Sequence, residues 1–267
     1  MAIPFIKMHG LGNDFILFDH RERPLEITPE RAALWADRRL GVGCDQIVQI
    51  VSPTAGDPAA IGEMRIFNAD GSRAEMCGNA ARCVAKYLRQ IMRLPDETLV
   101  LQTLAGPISI HPRPGGLEAV DMGRPVCGQS GESITIQQGV SYTFTEISMG
   151  NPHCVIFMPE VAGFPLAVVG PQLECHSRFP NRTNVECVQV LDRQQIRMRV
   201  WERGVGITPA CGTGACAAAV AAMLNGLTDR QVRVVLDGGE LDIHWRSDDH
   251  VVMTGPASES FRGEINF

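Results

Sequence analysis

The sequence predicts an α+β chain built from two similar halves, and three observations carry that expectation. First, a strand-like run and a cysteine-glycine pair recur in one register. MRIFN at 64–68 returns as MRVWE at 198–202, and Cys77-Gly78-x-x-Ala81 returns as Cys211-Gly212-x-x-Ala215, both 134 positions on. Second, each copy passes from a short apolar run through a glycine-containing turn (Asp70-Gly71; Gly204 and Gly206) into an apolar stripe with helical spacing. Third, 267 residues are enough for two domains of roughly 150 residues or fewer, and 45% hydrophobic with 20% charged residues is ordinary for a folded chain.

Taken in order, Gly12-Asn13-Asp14 has a partner in Gly150-Asn151-Pro152, at an offset of 138 that a few loop insertions would produce. Thr28-Pro29-Glu30 is a helix start, with proline at the first helical position. Residues 46–51 and 64–67 read as strands. Ala80, Cys83, Val84, Tyr87, Leu88 and Ile91 fall on one face of a helix. Residues 108–111 form the next strand, and the Pro/Gly cluster at 112–116 is the best candidate for a linker between the copies. In the second copy, residues 154–158 and 198–201 read as strands. Ala215, Cys216, Ala219, Val220, Met223 and Leu224 then repeat the helical stripe, closed by Asn225-Gly226 as a C-cap. Because this helix is nearly all small residues, it suits close packing in a central position. Residues 232–236 and 250–253 complete the strands.

A net charge of −6 gives no overall electrostatic reason to bind nucleic acid or an anionic membrane, so a small-molecule partner is expected. No run approaches the roughly 18 apolar residues of a membrane span, and residues 1–7 lack the features of a signal peptide, so the chain reads as cytoplasmic. Nine cysteines is an odd number in a chain too long to need staples, and reduced thiols are expected. None has C-x-x-C spacing, and Cys77 with Cys83 or Cys211 with Cys216 lack a matching histidine pair, so no metal is expected.

Cys77 and Cys211 each stand just before the first turn of a helix and precede a glycine, which lets the backbone approach a ligand closely. A helix start presents unpaired N–H groups and about half a positive charge, favouring thiolate over thiol and attracting a carboxylate. If the halves face each other across a cleft, the two thiols flank one carbon. Inverting a stereocentre needs a base on one face and an acid on the other, so a matched thiol pair suits an epimerase or racemase. No P-loop, no GxGxxG opening a helix and no Schiff-base lysine context points to a cofactor, so none is expected. The N–H groups of both helix starts are then the source of stabilisation for the carbanion. Cys83, Cys154, Cys187 and Cys216 read as small core residues.

The motifs KMHGLGNDF (7–15), GVGCDQ (41–46), FNADGS (67–72), MCGN (76–79), MGNPH (149–153), ERG (202–204) and ACGTG (210–214) closely resemble, in order and spacing, the diaminopimelate epimerase family over nearly the whole chain. The resemblance implies conversion of LL-diaminopimelate to the meso form without pyridoxal phosphate or metal, by a homodimer. It also implies an α+β fold of two pseudo-symmetric domains, each a barrel-like, mostly antiparallel sheet around a central helix. With the last strand returning to the first domain, the expected division is 1–116 with 257–267, carrying Cys77, and 117–256, carrying Cys211, with the active site between them. Carried over by motif, substrate contacts come from Asn13, Gln46, Asn68, Gly78, Asn79, Asn151, Asn184, Glu202, Arg203, Gly212 and Thr213, while His153 and Glu202 tune the thiols. Neutral amides and Arg203 suit a substrate with charged groups at its far end. Two departures from the family pattern stand at Ile207, often glutamate, and Ala80, often glycine; Ile207 bears on substrate fit.

A racemase of proline, hydroxyproline or histidine is the competing enzyme reading, and the far-end polar set Asn68, Asn184 and Arg203 argues against so compact a substrate. A non-catalytic thiol protein is the alternative from another class, disfavoured by the absence of metal-ligand spacing.

Overall fold

The computed structural model describes residues 2–23, 25–53, 56–94, 96–137 and 139–266. They divide into two compact units, Met1–Asp121 with Gly255–Phe267, and Met122–Thr254.

The first unit runs β1 (Ala2–Gly10), β2 (Asn13–Asp19), α1 (Pro29–Ala36), β3 (Gln46–Val51), β4 (Ala60–Asn68), β5 (Arg73–Ala74), α2 (Gly78–Met92), β6 (Leu99–Thr103), β7 (Gly106–Arg113) and β8 (Leu117–Asp121), and is completed by the last strand of the chain, β18 (Ser258–Asn266). Its neighbours are β18-β1-β2-β3-β4-β6-β7-β8, antiparallel except for β2 with β3 and β4 with β6. Thr28 caps α1 by accepting from the Arg31 N–H, with Pro29 at the first helical position. The α2 stripe packs on β1, β2, β7 and β8. Ala80, Cys83, Val84 and Leu88 are buried, whereas Ile91 lies exposed at the helix end.

The second unit repeats this order: β9 (Val126–Thr135), β10 (Ser141–Ser148), β11 (Pro152–Phe157), α3 (Leu166–Glu174), β12 (Asn184–Asp192), β13 (Gln195–Glu202), β14 (Gly206–Thr208), α4 (Gly212–Leu224), β15 (Gln231–Leu236), β16 (Gly239–Trp245) and β17 (Val251–Gly255). The neighbours are β9-β10-β11-β12-β13-β15-β16-β17, again antiparallel except for two pairs, β11 with β12 and β13 with β15. The register repeats as well as the order. Phe15 faces Gln46 and His153 faces Asn184 across the parallel pairs; Ile47 faces Phe67 and Val185 faces Trp201 across the antiparallel ones. The fold is therefore α+β, with each unit a barrel-like, mostly antiparallel sheet around its own helix. Among the described residues no helix is long and apolar enough to cross a membrane.

Three details depart from the sequence reading. The cluster at 112–116 is not a linker: Pro112 and Arg113 end β7, and Pro114–Gly116 is a 3-10 turn that reverses the chain into β8, using positive φ at Gly115 and Gly116. The change of unit comes after Asp121. The α4 helix is buried on more than the expected stripe, since Ala217, Ala218, Ala221 and Ala222 are as enclosed as Ala219, while Met223 and Leu224 reach its more open end. It packs on β10, β11, β12, β13, β15 and β16, and side chains larger than alanine would hold those strands away. The third is α3, which carries Pro171 inside it and so gives no clean helical signal.

Gly226, at positive φ, follows Asn225, which caps α4 through its N–H to the Ala221 carbonyl. Ala219→Leu adds volume where the helix meets its strands, and is expected to lower stability by about 1–3 kcal/mol or more. Urea unfolding followed by circular dichroism measures this; an unchanged midpoint would mean that the helix has room around it.

Candidate active site

Both repeat cysteines are the capping residues of their central helices. Cys77 precedes α2 in extended backbone (φ −144, ψ 114) and is half-buried; Cys211 precedes α4 (φ −118, ψ 114) and is buried. Gly78 and Gly212 open the helices, so their N–H groups and those of Asn79 and Thr213 belong to the first turn, which has no carbonyl of its own helix to bond.

Around Cys77 the structure gathers Asn13 and Asn79. The Asn13 Oδ1 atom lies 3.9 Å from the Cys77 Sγ and accepts from Asn79 Nδ2 at 3.0 Å, while Asn13 Nδ2 donates to Asp45 Oδ2 at 2.9 Å. The Asn79 Oδ1 atom is buried with no partner among the described residues. Gln46 and Asn68 face each other across β3 and β4, Gln46 Nε2 donating to Asn68 Oδ1 at 2.9 Å, and Asn68 in turn donates to Ser72 Oγ at 3.0 Å.

A charged lattice holds Asn13 from behind. Asp14 takes Lys7 Nζ at 2.7 Å and both guanidinium nitrogens of Arg38, and its carboxylate also accepts from the Asp45 N–H at 2.9 Å. Burial alone would raise the Asp14 pKa, but the hydrogen bonds from Arg38 and Lys7 outweigh it and bring it down to about 2.

Around Cys211 the partners form a chain. The thiol sulfur accepts from the Gly214 N–H at 3.4 Å and lies 3.6 Å from Thr213 Oγ1. Thr213 Oγ1 accepts from Asn151 Nδ2 at 3.2 Å, Asn151 Oδ1 meets His153 Nε2 at 3.0 Å, and His153 Nδ1 meets Glu186 Oε1 at 2.7 Å. His153 and Glu186 are both fully buried. Glu202 bonds the Thr208 hydroxyl through Oε1.

The sequence expectation that a helix start favours thiolate does not hold at Cys211. Burial pushes its thiol well above the usual range; the negative charges of Glu202 and Glu186 add to that, outweighing the bonds from Thr213 and Gly214. These surroundings favour the thiol form of Cys211 over the thiolate. The core thiols behave as expected, burial raising Cys83 and Cys187 to about 12 and Cys154 well above its ordinary value.

Asn184 hydrogen-bonds backbone groups. It donates to the Pro152 carbonyl at 2.9 Å and accepts from the Arg203 N–H at 3.0 Å, while the Arg203 guanidinium is exposed and bonds the Asn181 carbonyl at 3.2 Å. Ile207 is exposed on β14 opposite Trp201, and Ala80 is fully buried in α2. Sequence reading missed Glu186. Its signal lay in the repeat itself, because Phe15 and Val48 occupy the positions in the first unit that His153 and Glu186 occupy in the second. Among the described residues no group of three or more His, Cys, Asp or Glu is placed to hold a metal ion.

The fold is shared with a phenazine biosynthesis protein of the PhzF family from Bacillus anthracis (TM-score 0.77, 16% identity, all of both chains covered). It is shared also with a hydroxyproline epimerase from Agrobacterium vitis (TM-score 0.73, 13% identity, 99% of this chain and 92% of that one). Duplicated units with a cysteine at each helix start define an isomerase of the epimerase and racemase class. A family model described as diaminopimelate epimerase matches residues 5–127 and 145–259. A diaminopimelate epimerase of Magnetococcus marinus is 55% identical over 99% of this chain and 98% of its own, and diaminopimelate epimerase 1 of a Nostoc species is 45% identical over 99% and 100%. The chain belongs to the diaminopimelate epimerase family.

Asp14 has a folded pKa near 2 against an ordinary 3.8, so its contribution to stability is present above about pH 4 and is lost as the pH falls through 2. Asp14→Asn is expected to cost about 1.5–3 kcal/mol near pH 7, the worth of a hydrogen bond to a charged group. Denaturant midpoints of the two proteins should converge between pH 4 and 2; a constant gap would mean that the carboxylate charge carries none of it.

Proposed function

We propose that the chain interconverts LL- and meso-diaminopimelate by moving protons between two thiols and the substrate α-carbon, without metal or cofactor. The observation that carries this reading is the pair of equivalent helix-capping cysteines, Cys77 and Cys211, each beside first-turn N–H groups. Family membership supports the substrate, and the competing proline, hydroxyproline and histidine readings have no comparable support.

In the forward step one cysteine, as thiolate, takes the α-proton; electron density moves onto the carboxylate; the other cysteine, as thiol, gives its proton to the opposite face. Atoms and charge balance, and the two thiols end with their protonation exchanged. The raised pKa of Cys211 supports its role as the resting acid, which leaves Cys77 as the resting base. The charge of Glu202 works in the same direction on Cys211, in keeping with a tuning role.

First-turn N–H groups of Gly78, Asn79, Gly212 and Thr213 are the proposed seat of the carboxylate, where a preorganised donor is worth most as negative charge develops. Asn79 Oδ1, buried and without a partner among the described residues, suits the substrate ammonium. Asn13, Asn151, Gln46 and Asn68 complete the set of amides, with Asn184 and Arg203 for the distal groups. The same reading, on family membership, includes a cytoplasmic homodimer.

The test is proton exchange in deuterated water with LL-diaminopimelate and no added cofactor. Meso product with deuterium at one α-carbon is expected from the wild type, and Cys77→Ala or Cys211→Ala should lose about 10³-fold or more in rate through loss of an acid or base. Turnover surviving in either variant would reject the two-thiol reading, and preference for proline or histidine would reject the substrate.

A further inference from the structure

Each member of the chain from Glu186 to Cys211 constrains the next. The Asn151 amide gives Nδ2–H to Thr213 and offers Oδ1 to His153, so His153 must carry its proton on Nε2. The Thr213 oxygen already accepts from Asn151, so its own hydroxyl proton is free to point at the Cys211 sulfur, 3.6 Å away. What keeps the proton on Nε2 is the group at Nδ1. Glu186 Oε1 sits 2.7 Å from it, and the pair shares a second proton, whether written as carboxylic acid with neutral imidazole or carboxylate with imidazolium.

Withdrawing that second proton reverses the chain. The one remaining ring proton moves to Nδ1, facing the carboxylate, and Nε2 becomes an acceptor. Asn151 then turns its amide end for end, its Oδ1 takes the Thr213 hydroxyl proton, and the Cys211 sulfur loses that donor.

The surroundings fit a proton held in place. Glu186 is fully buried, its Oε2 atom has no partner among the described residues, and burial raises its pKa. The carboxyl also lies directly under the helix start: a Cβ at Gly214 would fall 2.8 Å from Glu186 Oε1 and 3.2 Å from the Cys211 sulfur. The titratable groups near it are His153 and Cys154 on β11, Cys187 beside it on β12 and Cys211 at the start of α4, while its partner across β13 is the apolar Val200. Glu202 bears on the thiol rather than on Glu186. The equivalent positions in the first unit, Phe15 and Val48, are fully buried and apolar, so this sheet packs without a buried acid and base.

We propose that Glu186 is a positioning residue for the reaction at Cys211: by keeping a proton on His153 Nε2 it fixes the Asn151 amide and aims the Thr213 hydroxyl at the sulfur. The effect falls on the step in which Cys211 gives up its proton, since the thiolate left behind is buried and needs that donor. This inference rests on the reading of Cys211 as catalytic.

The experiment compares the wild type with Glu186→Val, which copies the first unit, and Glu186→Gln, which retains a group able to donate to Nδ1. Nitrogen-15 spectra of the labelled histidines, with His153 assigned through His153→Phe, report the ring tautomer without substrate. The pH profile of epimerisation reports the consequence. In the wild type and Glu186→Gln, His153 should hold its proton on Nε2, and kcat should agree within about threefold; in Glu186→Val the Nε2 preference should be lost and kcat fall about tenfold, the worth of one hydrogen bond made in the transition state. The wild-type profile should also lose activity at high pH along a limb that Glu186→Gln lacks. A Glu186→Val protein with the wild-type tautomer, or with wild-type kcat and pH profile, would overturn the proposal. Should Cys211→Ala remain active, the two-thiol reading fails instead, while the histidine spectra still decide whether Glu186 sets the tautomer.

Discussion

A helix buried along most of its length must still begin somewhere, and its first N–H groups find no carbonyl of their own helix. In both units that constraint falls at one place. The sheet wraps a helix whose start is a cysteine, so the polar groups that the fold leaves without internal partners stand beside a sulfur atom. Glycine as the first helical residue keeps the approach open. Asn13 at the start of β2, and Asn151 in the turn that leads into the equivalent strand β11, then close around the sulfur, Asn13 with Asn79 in one unit and Asn151 with Thr213 in the other.

The two units share topology and register but solve the support of that site differently. In the first, ionic contacts do the holding, with Asp14 drawing in Lys7 and Arg38 and Asp45 anchoring Asn13. Phe15 and Val48 behind them are plain packing. In the second, the equivalent positions carry His153 and Glu186, fully buried and bonded to each other. A burial cost is accepted there that the first unit avoids, and what distinguishes the two environments is the neighbouring sulfur: half-exposed at Cys77, enclosed and favoured as the thiol at Cys211. The symmetric backbone thus carries an asymmetric pair of acids.

Much of this was legible before any coordinates. The common offset of the MRIFN and CG repeats carries the duplication, because strand and helix must keep their spacing for the sulfur to meet the helix start. Of the stripe, Ala80, Cys83, Val84 and Leu88 are buried and Tyr87 is half-buried, and α2 buries Ala81, Arg82 and Ala85 besides. What the sequence concealed has physical reasons. A helix built almost wholly of small residues shows little contrast between its sides, so the apolar stripe understates α4, which is enclosed nearly all round. Pro114-Gly115-Gly116 has the composition of a linker and equally that of a tight reversal, and only the pairing of β7 with β8 separates the two. Glu186 sits among apolar neighbours in a strand, and its role depends on a histidine in another strand, which no local pattern reveals. The helix-start argument for a thiolate omitted desolvation, and at Cys211 desolvation is the larger effect.

The pairing of β1 with β18 bears on how the polypeptide acquires its structure. The whole second unit separates these strands in sequence, so the first barrel contains a contact of very high order, whereas the second is drawn from one continuous stretch. Closing so long an intervening loop is slow for topological reasons although its entropic cost grows only gently with length. Until β18 arrives, β1 presents a free edge, with Phe5 missing its edge-on neighbour Phe261. The continuous unit is therefore the natural early folder, and the first barrel is sealed late, through a strand that a nascent chain delivers after everything else it needs.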